Sequence, residues 1–451
     1  MRRTLIQNAV IVNEGKRFQG SIVVEGEIIK EVLTGETAPT LPCQETIDAT
    51  GFYLLPGVID EHVHFRDPGM THKGDISTES QAAVAGGVTS VMDMPNTNPA
   101  TTTLEDFARK YDLMAEKSLV NYACYFGATN TNYNLFGQLN PHQVCGIKLF
   151  MGSSTGNMLV DRMNSLRHIF NETDLLIAAH CESQDIIKQN TEKFLAEQAL
   201  SGSDSRDLPL HYHPKVRSTE ACYESSELAI KLAHEANARL HILHITTAEE
   251  LTLFNNSQPL SGKRITAEVC VPHLLFTSED YETYGTRIKC NPAVKSGINR
   301  ESLRQAVNTG LIDAIATDHA PHLMAEKEGG ALKATSGMPM IQFSLISMLQ
   351  LTDEGIFTLE KVVEKMCHAP ADIYQIQGRG YIREGYQADL VLVSPNEWVL
   401  HANDIKSKCG WSPLEGKRFT WKVDKTFVNG HPVYSNDTID DSYRGQALRF
   451  R

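Results

Sequence analysis

The sequence predicts an α/β fold: a (β/α)8 barrel of the TIM type over residues 55–375, joined to a small β-sandwich domain built from both termini, 1–54 and 376–451. Three observations predict it. Eight short apolar runs alternate with helical patterns through the middle of the chain, the count that such a barrel requires. Both ends instead alternate in the manner of half-buried strands. No GxGxxG follows an early strand, which speaks against the rival open sheet that binds nucleotides.

Taken in order, residues 3–50 carry AVIV, SIVVEGEIIKEV and ETIDA, with turns at Gly20 and Gly26. The middle then supplies strands at 58–64, 88–94, 120–127, 144–151, 175–180, 239–245, 264–270 and 311–318. Helical periodicity is clearest at 75–86, 103–117, 160–173, 183–200, 218–238 and 300–309. The longest irregular stretches, 201–217 and 271–298, fall after strands five and seven or their helices, where a barrel carries its function. The tail returns to strands in ADLVLVSP and WKVDKTFVNGHPVYS, and Asn429-Gly430 is a two-residue hairpin signal. One domain formed by both ends is expected because chain termini usually lie close together.

Composition narrows the function. Hydrophobic residues at 41% and charged residues at 22% are ordinary globular usage, so disorder and coiled coil are excluded. A net charge of −13 argues against a sequence-independent grip on nucleic acid or an anionic membrane. The nine cysteines are scattered without a CxxC spacing, so neither a disulfide framework nor a zinc ribbon is expected. The opening MRRTLIQNAVIVNEG lacks the apolar core of a signal peptide, and the expectation is a reduced cytoplasmic protein.

The sharpest feature is His62-Val63-His64-Phe65-Arg66 at the end of the first barrel strand. Side chains two apart on a strand face the same way, so His62 and His64 form half of a Zn²⁺ site. His180 ends LLIAAH, His244 lies near the end of LHILHITT, and Asp318 lies in LIDAIATDH. A single such histidine is more often a satisfied core residue. Four of them with an aspartate, all at strand ends, point to metal. His241 and His244 have opposite strand parity, so only one is expected to point inward; His244 is nearer the rim. Lys148 sits inside the apolar strand GIKLFM, where an unpaired ammonium is strongly disfavoured. Either a carboxylate pairs with it, or the neutral amine adds CO₂ and becomes a carbamate able to bridge two ions. The residues alone leave both open.

In chain order HVHFRDPG, MPNTNP, GIKLFMG, AHCES, HILHITT, KCNPAVKS and ATDHAPH resemble the cyclic amidohydrolases of the amidohydrolase superfamily, and among them the dihydroorotase branch. The likeness reaches into the tail at GYIREGYQADLVLV. It implies two zinc ions, one held by His62, His64 and Asp318 and the other by His180 and His244, bridged by carboxylated Lys148 and by a hydroxide that acts as nucleophile. It implies Asp318 as the base that becomes the acid, reversible opening of dihydroorotate to N-carbamoyl-L-aspartate, and a place in pyrimidine biosynthesis. It also implies that Arg66, Asn96 and His322 surround the substrate carboxylate while Asn291 contacts the ring. For Arg66 the competing expectation is a rim ion pair with Asp67 or Asp75. Rival functions are an allantoinase or dihydropyrimidinase type of activity, and a scaffold relative that has lost catalysis. A homodimer is expected, and some relatives associate with aspartate transcarbamoylase. The Gly/Ser-rich segment 152–158 is either an active-site flap or a loose connection. The terminal β domain is expected to stabilise the barrel without taking part in chemistry.

Overall fold

The structure is a computed structural model that describes residues 2–152, 158–202 and 206–451. The flap expectation at 152–158 therefore falls almost entirely on 153–157, outside the described residues.

Eight strands close a parallel barrel: Val58–Val63, Val88–Asp93, Asn121–Cys124 continued by Phe126–Gly127, Ile147–Phe150, Ile177–His180, Leu240–Ile242, Ile265–Cys270 and Ala314–Ala316. Each pairs in parallel with the next. The ring closes where the backbone N–H of His64 donates to the carbonyl oxygen of His319 at 2.8 Å. These segments read as near-continuous apolar runs because the helices cover one face and the barrel interior the other. Two strands end earlier than the periodicity suggests. Leu240–Ile242 stops just before His244 (φ 41°), and Ala314–Ala316 stops just before Asp318 (φ 48°). The left-handed residues that end the pairing are themselves candidate ligands.

Local signals set the helix limits. Asp75 caps Ile76–Ala85 by accepting from the backbone N–H of Thr78 at 2.9 Å, and Thr103 and Ser218 cap Leu104–Lys117 and Thr219–Ala236 in the same way. Gly310, in the left-handed region at φ 79°, ends Gly297–Thr309. The helices that follow the last strand, Ser344–Asp353, Leu359–Val363 and Ala369–Tyr374, had no clear periodicity. Ser344–Asp353 is buried almost all round, which erases the amphipathic stripe.

The two ends do form one β domain. Leu390–Val399 pairs with Tyr53–Pro56, which pairs in turn with Arg3–Asn13, and hydrogen bonds run continuously through nine strands. One face encloses Ile6, Ile11, Ile22, Leu54, Leu390 and Phe427. From the other face Val12, Leu55, Val391 and Val393 join the core of the barrel. The Asn429-Gly430 hairpin is present, with both residues at positive φ, between Arg418–Val428 and His431–Ser435. The final residues leave this domain: Leu448 and Phe450 pack with Ile59, Met92, Leu176 and Ala178 and fill the mouth at the strands' N-terminal ends. No described helix is long and apolar enough to cross a membrane.

Candidate active site

His62, His64, Arg66, Asn96, Lys148, His180, His244, Asn291, Asp318 and His322 all line one cavity of about 400 Å³ at the C-terminal ends of the barrel strands. The fold thus brings together every candidate residue. Three of them, Arg66, His244 and Asp318, hold positive φ angles of 67°, 41° and 48°. Such backbone is costly for residues with a Cβ and clusters at functional sites. Here it turns each side chain out of its strand and into the mouth. It also corrects one expectation. His241 and His244 both face the interior, at different depths, because the left-handed residue at 244 resets the alternation. His241 is fully buried below the rim, its Nδ1 2.7 Å from Thr266 Oγ1.

The hydrogen bonds fix where the imidazole protons lie. His62 Nδ1 is 2.9 Å from Glu268 Oε1, and since a carboxylate only accepts, Nδ1 carries the hydrogen and Nε2 is bare. His64 Nδ1 is likewise held by Asn96 Oδ1 at 2.8 Å. The two Nε2 atoms then face the same oxygen, Asp318 Oδ1, at 3.3 and 3.0 Å. His180 donates from Nε2 to Glu182 Oε2 at 2.9 Å, which leaves its Nδ1 bare and 2.9 Å from His244 Nε2. Burial keeps the rings neutral: it lowers His64 to about 4, lowers His180, and holds His244 well below the ordinary range. Burial raises the Asp318 carboxyl, and positive charge at the His62, His64 and Lys148 positions opposes this and holds the carboxyl far below the carboxylate range. Bare nitrogen lone pairs converging on an ionised carboxylate repel one another unless a cation lies among them. One donor atom each from His62, His64 and Asp318 falls within 4.8 Å of the others. Imidazole nitrogens with a carboxylate oxygen, each ring oriented through its second nitrogen, are a donor set that fits zinc.

Lys148 is buried (1% exposed), with its Nζ 4.5 Å from the centre of the Phe150 ring. Among the described residues no carboxylate forms an ion pair with it. Desolvation pulls its ammonium down to about 8, against the opposing charges of Asp318 and Glu268.

A basic wall faces this centre. Arg66 is 7% exposed; its Nε donates to the Pro321 carbonyl oxygen at 3.2 Å and its Nη2 lies 3.1 Å from His322 Nε2. The expected competing partners are taken elsewhere, Asp67 by Lys117 at 2.8 Å and Asp75 by Lys408 at 2.7 Å. No ion pair to Arg66 exists among the described residues. Burial and then the Arg66 charge keep His322 far below its ordinary range and neutral. Asn291 Oδ1 is buried without a hydrogen-bond partner and is open to a ligand.

Several participants escaped the sequence reading. Glu268 and Glu182 orient His62 and His180; an acid inside the buried strand ITAEVC is the same anomaly as Lys148, and Glu182 stands two residues beyond His180. Arg217, which pairs with Glu182, and Lys289 also line the cavity, and both come from irregular segments without periodicity. The terminal β domain is not a bystander. Its 400–417 excursion reaches the rim, where Trp411 Nε1 donates to the His322 carbonyl oxygen at 2.7 Å and the Lys408 backbone N–H donates to Glu79.

The matches to known proteins fall within one family. Residues 53–433 match the model of the amidohydrolase family. The chain is 31% identical to a dihydroorotase from Halobacterium salinarum over 99% of each protein. It is also 31% identical to an allantoinase from Deinococcus radiodurans, over 99% of this chain and 98% of that one. Among solved structures, the L-hydantoinase of Arthrobacter aurescens superposes with a TM-score of 0.91 at 26% identity, covering 98% of both chains. The chain belongs to the amidohydrolase family. Within it, the protein is one of the cyclic amidohydrolases, the branch of hydrolases to which these relatives belong.

Proposed function

We propose that the protein is a dihydroorotase, opening the ring of (S)-dihydroorotate to N-carbamoyl-L-aspartate and closing it in reverse. The observation that carries the choice is Arg66, a buried guanidinium at the cavity wall whose two expected partners, Asp67 and Asp75, are both paired with lysines. A desolvated cation without a counter-ion calls for an anion on the ligand. Dihydroorotate brings a carboxylate, which allantoin and dihydrouracil lack. Bidentate pairing of guanidinium with carboxylate would then orient the ring, with Asn291 free to bond a ring amide and His322 holding Arg66 in place.

His62, His64 and Asp318 would hold one Zn²⁺ and His180 and His244 the other, with Lys148 as a carbamate between them. That pair of ions supplies a nucleophile of hydroxide strength at neutral pH and polarises the carbonyl under attack. The chain's own residues do the rest. Asp318 accepts the proton of the attacking water and delivers it to the departing ring nitrogen. Glu268, Asn96 and Glu182 keep the unprotonated nitrogens of His62, His64 and His180 aimed inward throughout. The same reading carries a role in pyrimidine synthesis, a cytoplasmic location, a homodimer and contact with a transcarbamoylase.

The allantoinase relative, as similar as the dihydroorotase in identity, supports a second reading. Assaying the purified, zinc-loaded protein on dihydroorotate, allantoin and dihydrouracil separates the two. We expect kcat/KM on dihydroorotate to exceed the others by about 10²- to 10⁴-fold, the equivalent of two charge-assisted hydrogen bonds. Comparable or better turnover of allantoin overturns the proposal.

A further inference from the structure

Below the cavity, inside the barrel, lies a second group of ionisable side chains, of which the proposed reaction uses only Glu268, through one oxygen. Glu61, His241 and Glu268 are all 0% exposed, and one donor atom from each lies within 4.8 Å of the other two. Four of their polar atoms have no hydrogen-bond partner among the described residues: both carboxylate oxygens of Glu61, Glu268 Oε2 and His241 Nε2. Buried polar atoms are rarely left in this state.

The neighbouring hydrogens are already committed. Tyr125 donates its hydroxyl to the backbone oxygen of Glu61 at 2.9 Å, so at the 2.6 Å contact between Tyr125 and Tyr374 the Tyr374 hydroxyl is the donor. His62 Nδ1, the backbone N–H of His244 and the Cys270 thiol all converge on Glu268 Oε1 and leave Oε2 unserved. His241 Nδ1 is taken by Thr266 Oγ1 at 2.7 Å, which leaves Nε2 as the ring nitrogen without a partner among the described residues. His241 Nε2 and Glu268 Oε2 are 3.8 Å apart, too far for a hydrogen bond. Among the described residues, no lysine or arginine forms an ion pair with either carboxylate. What remains is a buried enclosure of two carboxyl groups and one imidazole nitrogen whose facing atoms have no partner among the described residues.

We infer that this enclosure is a third cation site, separate from the rim centre, that takes a divalent ion such as zinc through Glu61, Glu268 and His241. The donor set suits zinc or manganese. The ion would serve structure: it neutralises two buried carboxylates and braces Glu268, which orients His62.

The test is positional and does not depend on the function proposed above. Crystals of the full chain equilibrated with zinc chloride are measured on both sides of the zinc absorption edge, and bound zinc per chain is counted after gel filtration. We expect an anomalous peak enclosed by Glu61, His241 and Glu268 in addition to those at the rim. In Glu61→Gln, which keeps the shape and removes the charge, the interior peak and one equivalent of zinc should go while the rim peaks stay. A wild-type interior that holds water and gives no anomalous signal overturns the inference, as does a Glu61→Gln protein that retains the full zinc count. Should the variant fail to fold, the wild-type map decides alone.

Discussion

Replacing Arg66 by methionine tests the proposed specificity most directly. Methionine keeps an unbranched stem in the same buried place and removes the guanidinium. In the structure that group spends Nε on the Pro321 oxygen and Nη2 on His322, and among the described residues no carboxylate pairs with it. A substrate carboxylate would supply the missing charge. Two charge-assisted hydrogen bonds contribute about 1.5–3 kcal/mol each. At 7% exposure there is little solvent to screen them, so about 3–6 kcal/mol of transition-state binding is at stake. That is roughly a 10²- to 10⁴-fold fall in kcat/KM on dihydroorotate. The assay follows dihydroorotate and dihydrouracil in parallel, in wild type and Arg66→Met, with zinc content measured in both. Dihydrouracil has no carboxylate, so its slow turnover should change by less than about tenfold. An equal loss on both rings, with zinc retained, would refute the argument, because Arg66 would then serve the metal centre or the fold.

Four further outcomes follow from the same geometry. Lys148→Ala should lose zinc and lose turnover by 10³-fold or more, an effect on the order of removing a whole metal bridge; full activity at full occupancy removes the carbamate from the mechanism. With the amine lowered to about 8, roughly a quarter of it is neutral at pH 7.5, against about 0.1% for an ordinary lysine. Bicarbonate labelling of Lys148 in the zinc-free protein, read by ¹³C NMR, should therefore rise through about pH 8, and a flat profile to pH 10 counts against it. Glu182→Gln removes the anion between His180 and Arg217, and zinc affinity measured by competition with a chelator should fall about 10- to 100-fold; unchanged affinity would show that Glu182 only packs. His64, lowered from 6.5 to about 4 by burial, stays unprotonated in the fold while the unfolded chain takes up a proton. The stability it contributes is complete above about pH 6.5 and is lost as pH falls towards about 4, up to about 3 kcal/mol in urea unfolding of the zinc-free protein. His64→Asn should flatten that slope; an identical slope in the variant assigns the pH dependence to other groups.

Much of the architecture was legible in local pattern. Barrel strands buried on both faces require apolar runs, helices that lie on them require a 3.6-residue stripe, and a two-residue hairpin requires residues that accept positive φ, as at Asn429-Gly430. The rim histidines and Asp318 stood out because strand ends are where a barrel places its chemistry. Lys148 stood out because a lone amine in an apolar strand is costly. Each of these constraints acts over a few residues, so the one-dimensional chain records it.

Pairings between distant segments left no such record. That Glu268 orients His62 across 206 positions, that Glu182 meets Arg217, and that Asp67 and Asp75 are taken by lysines so that Arg66 is left unpaired, are decided only when the strands close into a ring. The left-handed backbone at His244, which brings its side chain to the same interior as His241, is imposed by the tertiary structure on a residue without glycine's freedom for it. Trp411 reaching His322 from the terminal domain depends on how two domains dock. Sequence chose the ligand types and the strands that carry them. Closure of the barrel chose which nitrogen of each imidazole is bare and which charge is left without a partner, because proton placement and ion pairing depend on distances that exist only in the folded chain.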